Sequence, residues 1–133
     1  MRLRFDSDEE ERTFTVTNVA VGNGRYHGGG MHPCPLALLD DGRFEVTVIE
    51  RLSWFELIRD IRILYSDDVY RHPKVHHFRA RRIEARSDET VRVEVDGEAL
   101  GRLPLEAEVL EKAVRLVVPR GWTGGGAVKP PAS

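Results

Sequence analysis

Short runs in which apolar and polar residues alternate recur along this sequence, and they constrain its fold more than any other feature. Alternation places every second side chain on one face of a strand, so such runs predict half-buried β-strands. Val91, Val93 and Val95 form the cleanest run, and Asp96-Gly97 directly after it is a strong signal for a two-residue hairpin turn. We predict strands over residues 2–6, 13–21, 43–49, 75–86 (with a bulge near 81–82), 91–95, 99–103, 105–110 and 114–118.

One segment has the periodicity of a helix instead. Ser53 and Glu56 match the S-x-x-E capping box, in which each side chain bonds to the other residue's free backbone N–H. Trp54, Ile58 and Ile61 follow at helical spacing, which predicts an amphipathic helix of about three to four turns. We expect this apolar stripe to pack on a sheet, whereas exposure of its aromatic side chains would favour contact with a membrane.

Seven or eight predicted strands and one inserted helix indicate a mostly β fold, a two-layer antiparallel β-sandwich. The 133 residues suit a single domain, which we place at residues 1–120. Glycines and prolines make residues 22–35 a loop, and the charged residues 8–12 are expected in a hairpin loop. Residues 121–133 contain three consecutive glycines and two adjacent prolines, and we expect them to form a flexible tail.

The charge balance limits the partners that this chain can have. Its 20 lysines and arginines stand against 22 aspartates and glutamates, whereas a nucleic-acid-binding protein would be expected to be strongly basic. No apolar run approaches the roughly 20 residues that cross a bilayer, so any contact with a membrane would be peripheral. Cys34 is the single cysteine, which rules out an intrachain disulfide and fits a reducing compartment. We expect a cytoplasmic protein that binds no nucleic acid, and we leave peripheral membrane contact open.

Several motifs follow one another in an unbroken order over most of the chain. They are N-G-R-Y-H-G-G-G-M at 23–31 with Pro35 after it, L-D-D-G-R-F-E-V at 39–46, H-P-K-V at 72–75, V-E-V-D-G-E at 93–98 and V-V-P at 117–119. In their order and spacing, these motifs together resemble the C-terminal domain of the bacterial diacylglycerol kinase and sphingosine-kinase-like lipid kinase family.

The resemblance implies a two-domain enzyme. One domain of the family resembles the nucleotide-binding domain of NAD kinases and carries a G-G-D-G-T phosphate loop, and the other is a β-sandwich that receives the lipid. This sequence contains no G-G-D-G-T, and its glycine run at 28–30 leads into prolines rather than into a helix N-terminus. We therefore expect ATP to bind only through a nucleotide-binding domain that this chain lacks, and we expect the isolated chain to be inactive.

Asp96 is the catalytic candidate. Phosphoryl transfer needs positioning, charge neutralisation and a group that takes the proton of the attacking hydroxyl, which a carboxylate at a strand end can do. By the resemblance, the aspartate of the D-G-E motif is the general base, which implies Asp96, with Glu98 as a second carboxylate that orients it. From spacing alone, Asp96-Gly97 indicates only a favourable turn. A base in this position should face a cleft that holds an alcohol headgroup.

The resemblance also implies a weak structural magnesium site in the D-D-G loop at residues 40–42. Its ligands would be the Asp41 carboxylate and the main-chain carbonyls of Leu38 and Arg43. Magnesium prefers hard oxygen ligands and retains several waters, which suits this small set of donors. Without the resemblance, the loop is simply a turn before a strand.

The sequence thus predicts the substrate-binding and catalysis-completing domain of an ATP-dependent lipid kinase that phosphorylates a lipid alcohol such as diacylglycerol, giving phosphatidic acid. Two alternatives stay open: a non-catalytic β-sandwich that binds lipid or pairs with a kinase subunit, and a structural β-domain that forms homo-oligomers through exposed strand edges. The basic residues could meet lipid headgroups, although a solvated face beside acidic neighbours is the commoner arrangement. They are Lys74, Arg79, Arg81, Arg82 and Arg86.

Overall fold

The computed structural model describes residues 1–5, 11–60, 62 and 68–121. In these parts the chain is mostly antiparallel strand, with one α-helix (α1, Trp54–Asp60) and short 3-10 turns at Gly28–Gly30 and Val69–Arg71. The prediction of a mostly β fold with one inserted helix is therefore confirmed. The strands are Arg2–Phe5 (β1), Arg12–Thr13 (β2), Val16–Gly22 (β3), Phe44–Glu50 (β4), Val75–Ala80 (β5), Arg82–Arg86 (β6), Arg92–Val95 (β7), Glu98–Arg102 (β8) and Leu105–Glu108 (β9).

Two sheets pack face to face around a common core, which confirms the predicted two-layer sandwich. The four-stranded sheet has the order β2-β1-β6-β9, the three-stranded sheet has the order β3-β4-β5, and β7 and β8 pair as a separate hairpin. Phe5 of the first sheet stacks on Phe78 of the second, with ring centroids 4.7 Å apart. Strand alternation supplies the buried side chains of this core, which are Leu3, Phe5, Val46, Val48, Ala80, Ile83 and Ala85.

The chain crosses from one sheet to the other at Arg81. We predicted one strand over residues 75–86 with a bulge, and this is wrong, because β5 belongs to the three-stranded sheet and β6 to the four-stranded sheet. Ala80 and Ile83 are both buried in the shared core. The two sheets face the core from opposite sides, so the inward-pointing register must change where the chain passes between them.

Helix α1 begins where the capping box predicts. The Ser53 N–H donates to Glu56 Oε2 (2.7 Å) and the Glu56 N–H donates to Ser53 Oγ (3.3 Å), so both halves of the box are formed. The described helix covers about two turns, and Ile61 lies outside the described residues. Its apolar stripe does not pack on a sheet, contrary to our expectation, because ion pairs hold the acidic face of the helix against the domain.

The C-terminal part of the described chain also differs from the prediction. Residues 114–118, predicted as a strand, are irregular and exposed. Because their side chains are not covered by other described residues, burial of apolar surface does not favour their pairing with the free edge of β9. The predicted strand at 13–21 is divided into the end of β2 and the longer β3. Most of the charged loop at 8–12 and nearly all of the tail at 121–133 lie outside the described residues. Within the part of the chain that the structure describes, no helix has the length and apolar character needed to cross a membrane.

Candidate functional site

The Asp96-Gly97 turn joins β7 to β8, as predicted. Both residues have positive φ angles, 50° for Asp96 and 86° for Gly97, which is the backbone of the type I′ turn that Asp-Gly favours. The Leu103 N–H donates to the Val91 carbonyl (3.0 Å) and closes the base of the hairpin. The turn therefore holds the Asp96 carboxylate at the tip of a two-stranded arm.

Asp96 and Glu98 are exposed at this tip. Within the described residues, neither carboxylate forms a hydrogen bond or an ion pair. The valine stripe beneath them is only partly covered, since Val95 is 47% exposed, and all of β8 is exposed. The cleft that we expected around Asp96 would thus need a wall from outside the described residues. The catalytic roles of Asp96 and Glu98 stay predictions.

A buried carboxylate lies elsewhere, on the outer face of β4. Glu45 is 1% exposed and accepts a hydrogen bond from the Tyr70 hydroxyl at Oε1 (2.9 Å). His77 Nε2 lies 2.5 Å from the same oxygen without forming a hydrogen bond, and Arg79 Nε lies 3.6 Å from Oε2, which also has no hydrogen bond among the described residues. Burial of a carboxylate is unfavourable unless charge and hydrogen bonds compensate it, so these neighbours allow Glu45 to remain inside.

The register of the sheet brings this group together. Glu45 lies opposite Arg79 and Thr47 lies opposite His77 on adjacent strands, so all four side chains share one face. Tyr70 comes from the 3-10 turn Val69–Arg71, and its ring lies 4.5 Å from the His77 ring. We define the buried polar cluster as the buried Glu45 and Thr47 together with the partly buried Tyr70 and His77 and the exposed Arg79 beside them.

The loop before β4 covers this cluster. The Thr47 hydroxyl donates to the Pro33 carbonyl (2.6 Å), and Cys34 Sγ lies 3.5 Å from the Glu45 carbonyl oxygen. Burial raises the pKa of Cys34 to about 11, and burial also raises the pKa of Tyr70 well above its ordinary value. Both groups keep their protons near neutral pH, so neither is an activated nucleophile.

Asp41 is connected to the same cluster through Arg79. Its Oδ1 accepts a hydrogen bond from the Arg43 N–H (3.0 Å), and its Oδ2 pairs with the Arg79 guanidinium. A magnesium ion at this carboxylate would meet the positive charge of Arg79, and like charges at such distances repel. Magnesium coordination by the Asp41 carboxylate with the Leu38 and Arg43 carbonyls stays a prediction, and we derive no chemistry from a metal here.

The predicted basic residues are paired with carboxylates, which is the commoner of the two arrangements considered for them in the sequence analysis. A run of arginines along two strands thus forms surface ion pairs, which contribute little individually to stability. The pairs are Lys74–Glu56, Arg79–Asp41, Arg81–Glu111, Arg82–Glu106 and Arg86–Glu84.

Sequence reasoning missed the buried polar cluster. Glu45 and Thr47 alternate with the core residues Val46 and Val48, and this pattern normally indicates a solvent-facing side of a strand. The signal that could have found the cluster is the histidine and arginine on the matching face of the next strand, since opposite charges pair across strands.

Comparison with known proteins gives a consistent result. The sequence model of the family described as "YegS C-terminal NAD kinase beta sandwich-like domain" matches residues 1–118. A protein of Alcanivorax borkumensis named "Probable lipid kinase YegS-like" is 28% identical over 121 residues, which are 88% of this chain and 40% of that protein. A "Diacylglycerol kinase" of Staphylococcus saprophyticus is 32% identical over 117 residues, 88% of this chain and 38% of that protein. The chain spans about two fifths of the length of these curated relatives.

Solved structures show the same fold. A crystal structure of a diacylglycerol kinase from Bacillus anthracis strain Sterne superposes with a TM-score of 0.63 at 23% identity. The superposition covers 83% of this chain and 39% of that one. The β-sandwich architecture is therefore shared, and it occupies a minor part of the larger protein.

Proposed function

This chain belongs to the family of YegS C-terminal NAD kinase beta sandwich-like domains, and from that membership we propose that it binds the lipid and completes the active site of an ATP-dependent lipid kinase. The observation that carries the proposal is the family match over residues 1–118, supported by relatives named lipid kinase and diacylglycerol kinase. The chain corresponds to about two fifths of those relatives, so the nucleotide would be held by a second domain. The substrate would be a lipid alcohol such as diacylglycerol.

In the proposed reaction, the lipid hydroxyl oxygen attacks the γ-phosphorus of ATP and forms a new O–P bond. The bond between the γ-phosphorus and the oxygen that bridges it to the β-phosphorus breaks, and ADP leaves. The hydroxyl proton passes to the Asp96 carboxylate, which later releases it to water. Glu98, the first residue of β8, lies two positions from Asp96 across the turn and would orient the base and the hydroxyl.

This role requires that a second domain supply the cleft around the exposed Asp96. A base that deprotonates a hydroxyl attacking a phosphate held by another domain must face that domain, and the β7–β8 hairpin carries at its tip a carboxylate without a partner among the described residues. When a second domain covers this tip, water is displaced and the carboxylate interacts more strongly with the attacking hydroxyl. The isolated chain lacks that cover and the nucleotide, and should not transfer phosphate.

The direct test is phosphoryl transfer from γ-labelled ATP to diacylglycerol in detergent micelles. The chain alone should give no labelled lipid, whereas the chain combined with a nucleotide-binding domain of the same family should give phosphatidic acid. Robust turnover by the chain alone would contradict the proposed division of labour. If the combined protein is active and Asp96→Asn leaves that activity unchanged, the chain is the non-catalytic lipid-binding or kinase-partner module instead.

A further inference from the structure

Helix α1 presents its apolar side chains to solvent. Trp54, Phe55 and Ile58 are 70%, 84% and 58% exposed. Residues three and four apart are neighbours on a helix surface, so Ile58 lies beside both Trp54 and Phe55 and the three form one continuous patch. We call it the α1 apolar patch. A helix on the surface of a globular protein normally turns such a face toward the core, and a contiguous exposed patch marks an interaction site.

The acidic side chains of the same helix point the other way. Glu56 Oε1 lies 2.6 Å from Lys74 Nζ, and Asp60 Oδ2 lies 3.3 Å from His72 Nε2. These two side chains are only 27% and 18% exposed. Lys74 and His72 directly precede β5, so the helix is bonded to the sandwich through its acidic face.

Exposed arginines lie close to the apolar patch along the chain. Over residues 51–60 and at 62, Arg51, Arg59 and Arg62 are all exposed, and Arg59 has 71% of its side chain in solvent. The acidic residues in that stretch are the two that face the domain, and Asp60 also pairs with Arg59. The outward face of α1 is therefore apolar with a basic border, the arrangement of a helix that lies in a membrane interface.

We propose that the α1 apolar patch inserts into the surface of a lipid bilayer that contains anionic headgroups, with the bordering arginines on those headgroups. The choice of a bilayer as the binding partner of the patch rests on the proposed function, since a diacylglycerol substrate resides in a bilayer. Aromatic side chains cover about 150–250 Å² each, so the three exposed side chains offer roughly 500 Å² at most. This area is smaller than the surface of about 800 Å² that each partner buries in a stable protein–protein interface. Insertion into a bilayer surface is further favoured by the attraction of the arginines to anionic lipid headgroups.

The experiment is co-sedimentation of this chain with phosphatidylcholine vesicles prepared with and without phosphatidylglycerol. The double variant Trp54→Ala/Phe55→Ala should lower binding to the anionic vesicles about tenfold or more. The matched control is Leu100→Ala/Leu116→Ala, which removes two side chains that are 63% and 61% exposed elsewhere, and it should bind like the wild type. All four side chains are exposed, so circular dichroism should show unchanged folding.

A second readout follows the patch itself. With Trp122→Phe, Trp54 is the only remaining tryptophan, and its emission should shift to the blue on addition of anionic vesicles. Absence of wild-type binding, equal binding by both double variants, or self-association that the Trp54→Ala/Phe55→Ala variant abolishes would overturn the proposal. Asp96→Asn should bind vesicles normally, and the patch variant combined with a nucleotide-binding domain should still phosphorylate a short-chain, soluble diacylglycerol, so failure of one proposal is distinguishable from failure of the other.

Discussion

Glu45 and Asp96 are carboxylates on the same β framework, and their surroundings are opposite. Glu45 is buried among Tyr70, His77 and Arg79, whereas Asp96 is exposed at a hairpin tip without a bonded partner in the described part of the chain. A buried charge depends on its neighbours, and removing one member of such a group leaves the others uncompensated. An exposed unpaired carboxylate contributes little to folding. The domain therefore surrounds one acidic group with its own side chains and exposes the other to solvent.

The largest effect should come from Asp96→Asn in the combined kinase. Loss of the general base should lower kcat about 10²–10⁴-fold, while the thermal midpoint stays unchanged because the side chain is exposed. Glu98→Gln should cause a smaller loss of kcat. Steady-state kinetics and thermal melts on the same samples measure both quantities. A thermal midpoint of Asp96→Asn below that of the wild type would show that Asp96, like Glu45, supports folding.

Glu45→Ala should have the converse effect. It removes the buried acceptor of the Tyr70 hydroxyl and leaves neighbouring polar groups unsatisfied in a buried site, so the free energy of unfolding should fall by about 3 kcal/mol. Glu94→Ala, at an exposed position of β7, is the matched control and should change it by less than about 0.5 kcal/mol. Urea denaturation of the isolated chain measures both variants. A stable Glu45→Ala protein would mean that the cluster does not support the fold.

Ser53→Ala tests an exposed polar contact of intermediate strength. It removes the side-chain acceptor for the Glu56 N–H, and loss of such a cap should lower the free energy of unfolding by about 1 kcal/mol. Thr90→Ala, at an exposed position outside any helix, is the control. If both variants unfold at the same urea concentration, the capping box contributes nothing to global stability.

The pH dependence of stability should contain a small contribution from Glu56. The hydrogen bond from Lys74, together with those from Ser53, lowers the pKa of Glu56 from 4.5 to about 2. A carboxyl whose folded pKa is depressed contributes stability that is fully present above about pH 4.5 and lost as the pH falls toward about 2. The wild type should therefore be more stable than Glu56→Gln at pH 7, and their melting curves should converge near pH 2. A constant difference across this range would exclude the linkage.

The smallest effect should come from magnesium. Because Arg79 pairs with Asp41, millimolar Mg²⁺ should leave the thermal midpoint of the wild type where sodium chloride of equal ionic strength leaves it. Arg79→Met frees the Asp41 carboxylate, so any stabilisation by Mg²⁺ should appear first in that variant. A rise specific to Mg²⁺ in the wild type would instead support the magnesium site predicted from the sequence.

Local patterns allowed much of the fold to be predicted. The alternation in β4 placed Val46 and Val48 in the core, and the Asp96-Gly97 turn and the start of α1 lie where their short motifs indicate. The buried polar cluster could not be predicted in the same way. Alternation shows which side chains share a face, but not whether a loop and a distant tyrosine will cover that face.

By itself, the sequence determined the strand periodicity, the hairpin turn and the helix cap, because each depends on residues within a few positions of one another. Only the tertiary structure decided that the chain changes sheets at Arg81, that α1 turns its apolar face outward and that Glu45 is buried. Each of these depends on contacts between distant residues, such as Glu56 with Lys74 and Glu45 with Tyr70. Such contacts have no local pattern, since they form only when the sheets have brought their partners together.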